Sequence, residues 1–182
     1  EAPPNHECLG TVISFEQDGS DIEIMASGIR NVYDIAFDQD GDLYGADNNG
    51  MSRRSKVWSA LYHIAEGAHF GYPEYGTFDS GPSDEEIHEP LWILDGLSPT
   101  GIETTDKIDG RDGVVVGLTQ KLVFVPIEKE DDRVFVPEFL RPEPTIVELN
   151  NRPMIVEAGP DGNLWVGSTG IDDTLSIYTT DS

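Results

Sequence analysis

The apolar residues of this chain fall into short runs, β-branched or aromatic in character and separated by turn residues. No stretch keeps a 3.6-residue period for the ~10–12 residues that a helix needs. The chain therefore reads as all-β. Successive strand candidates are Thr11–Phe15, Ile22–Ala26, Tyr33–Phe37, Asp42–Ala46, Ala60–Ala65, Pro90–Leu94, Gly101–Thr105, Gly113–Leu118, Leu122–Ile127, Arg133–Phe139, Thr145–Leu149, Met154–Ala158, Asn163–Gly167 and Thr174–Thr179. About fourteen strands at this spacing fit a sandwich, a barrel or a propeller. The tightest connections are Asp18-Gly19, Asp40-Gly41 and Asp161-Gly162, where glycine supplies the positive φ that two-residue hairpins demand.

An internal repeat narrows the choice. The segment Ile35-Ala36-Phe37-Asp38-Gln39-Asp40-Gly41-Asp42-Leu43-Tyr44 aligns with Val156-Glu157-Ala158-Gly159-Pro160-Asp161-Gly162-Asn163-Leu164-Trp165. An apolar strand, an Asp-Gly turn and a Leu-aromatic strand recur 121 positions apart. At the ~40–45 residues per blade of a propeller this is about three blades, or two where one loop is long. Residues 71–98, rich in Gly, Pro, Ser, Glu and Asp, read as such a loop. The expected architecture is a β-propeller of about three to four blades, forming one partial domain over residues 1–182.

Charge limits the partners. With 35 acidic against 11 basic side chains the formal net charge is −24. Such a surface repels phosphate backbones and anionic lipid, so neither nucleic acid nor a membrane surface is an expected partner. The basic residues are 4 Lys and 7 Arg, and this lysine poverty beside the carboxylate excess points to a surface that stays solvated at high ionic strength, where screening relieves self-repulsion. An ordinary acidic exported protein fits the composition equally well. One cysteine, Cys8, excludes an intramolecular disulfide and a multi-thiolate metal site. No apolar run approaches the ~18–20 residues of a membrane span. The opening Glu1-Ala2-Pro3-Pro4 has neither a basic nor an apolar leader segment, so the expectation is a processed or excerpted chain.

Three segments in order carry a family resemblance. They are Ala26-Ser27-Gly28-Ile29-Arg30-Asn31-Val32-Tyr33-Asp34-Ile35-Ala36-Phe37-Asp38, then Asp42-Leu43-Tyr44-Gly45-Ala46-Asp47-Asn48, then Leu61-Tyr62-His63-Ile64-Ala65-Glu66-Gly67-Ala68-His69-Phe70-Gly71-Tyr72-Pro73. Ser98-Pro99-Thr100-Gly101, the Gly113–Leu118 strand and Asn151-Arg152 through Trp165 continue the series. Over most of Gly10 to Tyr178 the chain resembles the soluble PQQ-dependent glucose/sorbosone (aldose) dehydrogenases, in the C-terminal half of their propeller. The resemblance implies a six-bladed propeller that binds pyrroloquinoline quinone (PQQ) with calcium in a central cleft and oxidises a sugar by hydride transfer, in the periplasm or outside the cell. Six blades need ~240–270 residues plus loops. The N-terminal blades are therefore expected from the missing half of the propeller or from a partner chain, because a half-propeller exposes unpaired strand edges.

The resemblance also implies site residues. Arg30 matches an arginine that contacts the quinone, with Asn31 beside it, and Arg152 matches another. The second arginine expected after Arg152 is Met154, and the lysine expected at the end of the Gly113–Leu118 strand is Thr119, with Lys121 two positions on. Calcium is expected on backbone carbonyls around Asn49, Gly50 and Met51, with Asp47 and Asn48 adding the oxygen donors it prefers. The family's base is a histidine of the N-terminal half, and no residue here matches it, so the catalytic residue is unknown.

Other features read as structure. Asp38-Gln39-Asp40-Gly41-Asp42 mimics the start of a calcium loop, but it lacks the downstream glutamate and recurs as a hairpin. His63 reads as a packing histidine, His69 as a variable turn position, and His6 and His88 as polar-loop residues. Arg53, Arg54 and Lys56 read as a patch balancing nearby acids. Two functions remain open: a PQQ-dependent sugar dehydrogenase-like protein, or a non-catalytic propeller that serves as a binding or structural module. The missing cations at Thr119 and Met154 favour the second.

Overall fold

The computed structural model describes residues 10–48, 59–72, 87–94, 98–108, 110–131, 133–137, 145–169 and 176–178. Asn49, Gly50, Met51, the cations Arg53, Arg54 and Lys56, Cys8 and His6 lie outside the described residues.

Each strand expected from the sequence has a counterpart. In chain order the strands are β1 (Val12–Ser14), β2 (Glu23–Ser27), β3 (Val32–Phe37), β4 (Leu43–Asn48), β5 (Ser59–His63), β6 (Ala68–His69), β7 (Trp92–Ile93) and β8 (Ile102–Ile108). They continue as β9 (Arg111–Leu118), β10 (Lys121–Pro126), β11 (Glu128–Glu130), β12 (Arg133–Phe135), β13 (Thr145–Glu148), β14 (Arg152–Ala158), β15 (Leu164–Thr169) and β16 (Ser176–Tyr178). The described residues contain no helix. The sequence pattern missed β6 and β11. β6 is two residues of parallel pairing onto β2, and β11 is Glu-Lys-Glu, exposed throughout and without an apolar face to read.

Three antiparallel sheets follow one another, in the orders β3-β4-β5-β7, β8-β9-β10-β13 and β14-β15-β16. The first strand of each lies beside the first strand of the next, β3 against β8 and β8 against β14. Side chains tie them together. Asp34 accepts from the Ile102 amide (3.2 Å), the Thr104 hydroxyl donates to the Phe37 carbonyl (2.7 Å), and Glu103 accepts from the Ala158 amide (3.0 Å). A further sheet, β1-β2-β6, precedes them. Meander sheets stacked radially on their first strands are the blades of a propeller.

The strands alternate their side chains between two interfaces, as the period of two requires. Leu43, Ala60 and Tyr62 face the first sheet, where they are buried with Ala26, Ile29, Ala68 and Phe70. Tyr44, Ala46 and Leu61 face the next blade, where they meet Val114, Val116, Leu118, Val123 and Val125. Val115, Leu122 and Phe124 turn the other way onto Val156, Leu164 and Val166. Each fully buried Val, Leu or Phe contributes about 1.5–3 kcal/mol relative to exposure, so the blades hold each other rather than standing alone.

The three Asp-Gly turns share one geometry, but it is not the expected two-residue loop. In each, an amide donates to the carbonyl four residues on and the glycine amide closes back: Glu16 to Ser20 (2.9 Å), Asp38 to Asp42 (3.0 Å) and Gly159 to Asn163 (2.8 Å). These are three-residue loops whose glycine takes the left-handed position, at φ 86°, 93° and 85° for Gly19, Gly41 and Gly162. The repeated hairpins sit on β3–β4 and β14–β15, two blades apart. The residues around 71–98 account for the extra spacing, with β7 as a short outer strand on β5 inside them.

Candidate functional site

Arg30 lies two residues before β3, Asn48 ends β4, Ser98 precedes β8, Thr119 turns β9 into β10, and Arg152 opens β14. These positions lie at one end of the stacked blades, where the first strands begin, and the side chains of Asn48, Thr119 and Arg152 meet on Ser98. Its Oγ accepts from Asn48 Nδ2 (2.8 Å) and from Arg152 Nη2 (2.6 Å), and its amide donates to Thr119 Oγ1 (3.4 Å). Arg30 Nη1 donates to the Asn48 carbonyl (2.7 Å). Three of the residues singled out in the sequence, Asn48, Thr119 and Arg152, one from each of three blades, thus meet on one serine, and Arg30 joins them through the Asn48 carbonyl. Ser98 itself was visible only as part of a Ser-Pro-Thr-Gly match. Nothing in that match indicated that it would join the other four.

Beneath this cluster the first strands are locked together by Thr100. Its buried hydroxyl lies against the carbonyls of Gly117 and Pro153, so the start of β8 holds the end of β9 to β14. Arg152 is therefore fixed at its base while its guanidinium reaches Ser98.

Asp47 is fully buried, and both carboxylate oxygens are engaged. Oδ2 accepts from the Arg30 amide (2.9 Å) and Oδ1 from the Asn31 amide (2.7 Å). Burial raises its pKa, and the two amides and the Arg30 charge only partly oppose that. Asp47 thus positions the Arg30-Asn31 turn. Arg30 and Asn31 are themselves exposed, facing outward over the cluster. Among the described residues no group of three or more His, Cys, Asp or Glu side chains has metal-binding geometry. The carbonyls expected to hold calcium, around Asn49, Gly50 and Met51, lie outside the described residues.

The donor set fits an anionic, oxygen-rich group in one specific respect. Arg152 Nε is buried with no hydrogen-bond partner, and leaving a buried donor unmet costs about 1–3 kcal/mol, more for a charged one. A carboxylate or quinone oxygen beside it would meet that demand. Met154 and the exposed Thr119 add no charge, so the cationic complement is smaller than the resemblance implies.

A second polar cluster escaped the sequence reading. Lys129 of β11 places its Nζ 2.8, 2.8 and 2.6 Å from carboxylate oxygens of Asp38, Asp40 and Asp42. The loop that looks like the start of a calcium site holds an ammonium instead. Burial alone pushes the Lys129 pKa down, but the three carboxylates outweigh it and raise it. Burial likewise pushes Asp38 up, but contacts from Lys129, the Asp42 amide and Tyr44 bring it below the ordinary value. Asp42 is lowered chiefly by Lys129, with His63 assisting against burial. The Tyr44 hydroxyl donates to Asp38 (3.1 Å), and burial first, then Asp38, raises its pKa. The signal was one of only four lysines lying in a short charged strand.

The described histidines belong to packing networks. His63 Nε2 pairs with Asp42 (2.9 Å) and its ring lies 5.7 Å from that of Tyr44. His69 Nδ1 contacts Ser27 Oγ (2.9 Å). The His88 ring lies edge-on to Phe70, 6.1 Å away.

No protein-family model and no curated protein matches the chain. Solved structures do match in fold. An oxidoreductase described as a glucose dehydrogenase from Thermus thermophilus superposes with a TM-score of 0.66 at 19% identity, over 85% of this chain and 46% of that one. The PQQ-bound aldose sugar dehydrogenase of Streptomyces coelicolor gives 0.64 at 20% identity, over 93% and 51%. The PQQ domain of pyranose dehydrogenase from Coprinopsis cinerea gives 0.61 at 15% identity, over 88% and 56%. This chain thus has a propeller fold shared with solved sugar dehydrogenases, and it spans about half the length of the structures it matches.

Proposed function

We propose that this chain is the cofactor-side half of a PQQ-dependent sugar dehydrogenase-like propeller that oxidises an aldose once the remaining blades complete the ring. The observation that carries this reading is the meeting of Asn48, Arg152 and Thr119 on Ser98, with Arg30 bonded to the Asn48 carbonyl and the buried Arg152 Nε–H lacking an acceptor. PQQ, when bound, supplies the acceptor for a hydride leaving the sugar. The chain's own residues bind and orient. Arg152, held through Ser98 and the Thr100 lock, would donate its unmet Nε–H and lend its charge to a cofactor oxygen. Arg30 and Asn31 present a guanidinium and an amide from a turn that Asp47 fixes. Thr119 offers a neutral hydroxyl. In this reading Asn48, Gly50 and Met51 would supply oxygen ligands to calcium, and Asp47 would add negative charge. The proton-accepting group comes from the complementary half, and the protein works in the periplasm or outside the cell.

The test is a PQQ titration, with and without calcium, on the protein purified from its source together with any chain that accompanies it. Dye reduction with a panel of aldoses follows. The expected result is saturable binding that Arg152→Leu weakens at least tenfold, and aldose-dependent reduction. Thr119 and Met154 favour a second reading, a non-catalytic propeller, and saturable binding without turnover would select it. Absence of PQQ binding refutes the cofactor assignment.

A further inference from the structure

The β1–β2 hairpin carries an apolar face that nothing described covers. Ile13 is cross-strand partner to Ile24, and the alternation of the hairpin places Phe15 and Ile22 on the same side. All four are exposed, at 48%, 52%, 60% and 66% for Ile13, Ile24, Phe15 and Ile22. Past a register shift between Val12 and Ile13, Val12 and Ala26 instead pack onto the neighbouring blade. Four large side chains on one face of a two-stranded ribbon form a contiguous patch of the kind that marks an interface.

The same sheet is also too narrow. It buries Leu43, Ala60 and Tyr62 of the neighbouring blade, yet Ile35 and Phe37 remain 43% and 62% exposed. Phe37 pairs with Leu43 and Ile35 with Gly45, so both lie on the face that the sheet covers farther out. Among the described residues the sheet has one open edge. β2 takes β1 on one side and β6 on the other, and beyond β6 the His88 amide already donates to the His69 carbonyl (2.8 Å). Among the described residues β1 pairs only with β2.

We infer that β1 is the seam at which the complementary half of the propeller joins this chain. The incoming polypeptide adds strands to the free edge of β1, which extend the sheet over Ile35 and Phe37, and lays a further blade on Ile13, Phe15, Ile22 and Ile24. Strand addition of this kind draws affinity from backbone hydrogen bonds and specificity from alternate side chains. The solved propellers carry about as much chain outside the matched half as inside it, enough for the blades this seam requires. A second copy is a poorer occupant. It would bring another −24 of charge, and on the last sheet only Ile155 is a large, well-exposed apolar side chain among the described residues. This joint rests on the propeller fold and on the complementary half invoked above, but not on quinone binding.

The experiment places a photoreactive benzophenone amino acid at Ile24, at Phe37 or, as a control on another face, at Glu130. The full protein is expressed in the organism that encodes it, irradiated, and the cross-linked peptides are identified by mass spectrometry. Adducts at Ile24 and Phe37, absent at Glu130, should map to strands of a polypeptide bearing the same apolar–Asp-Gly–Leu-aromatic hairpin repeat. Ile24→Asp, a change at an exposed side chain, should reduce the Phe37 adduct at least tenfold with unchanged circular dichroism. Adducts to a second copy of this chain, adducts to a polypeptide without that repeat, or no adduct at either seam position would each overturn the inference. Mass is read whether or not PQQ binds, so failure here is distinct from failure of the redox reading.

Discussion

Replacing Lys129 by methionine tests whether the ammonium is the counter-ion that lets the β3–β4 turn hold three carboxylates together. The side chain is 30% exposed, Asp38 18%, Asp42 30% and Asp40 75%. Hydrogen bonds to charged groups contribute about 1.5–3 kcal/mol each, but the Asp40 contact is discounted almost wholly for solvent screening. The two remaining contacts are partly wet, because the clamp borders a cleft of about 710 Å³. Their loss, together with the carboxylate repulsion left behind, should cost about 2–4 kcal/mol at moderate salt. For a chain of this size that is a fall in Tm of about 5–12 °C. Raising salt from about 0.2 M to about 2 M shortens the screening length from ~7 Å to ~2 Å and should at least halve the difference.

The pH dependence follows from the directions of the shifts. Asp38 and Asp42 are depressed in the folded state, so their stabilisation is fully present above the unfolded value of about 3.9 and disappears as pH falls through the folded values. Lys129 is raised, so its contribution is complete below about pH 10 and is lost only at more alkaline pH. The difference between wild type and variant should therefore be level from about pH 5 to pH 9 and collapse below about pH 4. Urea unfolding of both proteins across pH and salt measures it. A difference under about 1 kcal/mol at moderate salt, or one that persists unchanged at pH 3, would refute the counter-ion argument.

Three further outcomes are expected. Asp47→Ala leaves the Arg30 and Asn31 amides without their acceptors and should cost about 2–4 kcal/mol, with faster hydrogen exchange at those two amides; unchanged exchange would remove Asp47 from its positioning role. Thr100→Val deletes the hydroxyl that bridges β9 and β14 and should cost about 1–3 kcal/mol in urea unfolding; an unchanged midpoint would remove Thr100 from that bridging role. The net charge of −24 should make the folded chain salt-dependent, with the urea midpoint rising steadily from dilute buffer to molar KCl; a flat midpoint would mean an ordinary acidic surface.

Much of the candidate site was legible because it lies next to fold signals. Arg30 and Asn31 precede an alternating strand, and Arg152 opens another, so local pattern placed them at strand starts. That Asp47 would direct both oxygens at the Arg30 and Asn31 amides depends on a register in which Asp47 faces Val32 across a bulge in β3, and no local pattern encodes that. Ser98 is the same case, since its partners come from three blades. The Asp38-Asp40-Asp42 loop was recognised as a hairpin from its repeat, but its cation, Lys129, lies 89 positions after Asp40 in the chain.

Sequence alone determined that this chain makes short strands, where they turn, and which face of each is apolar, because alternation, β-branching and Asp-Gly turns act within a few residues. It also determined the net charge of −24, which repels phosphate and anionic lipid at low ionic strength. Tertiary structure decided which apolar faces are satisfied by a neighbouring blade and which, as on β1–β2, are left open. It also decided which polar groups meet across blades, on Ser98 and on Lys129. Those outcomes depend on strand order and register, which are set by packing between segments far apart in the chain.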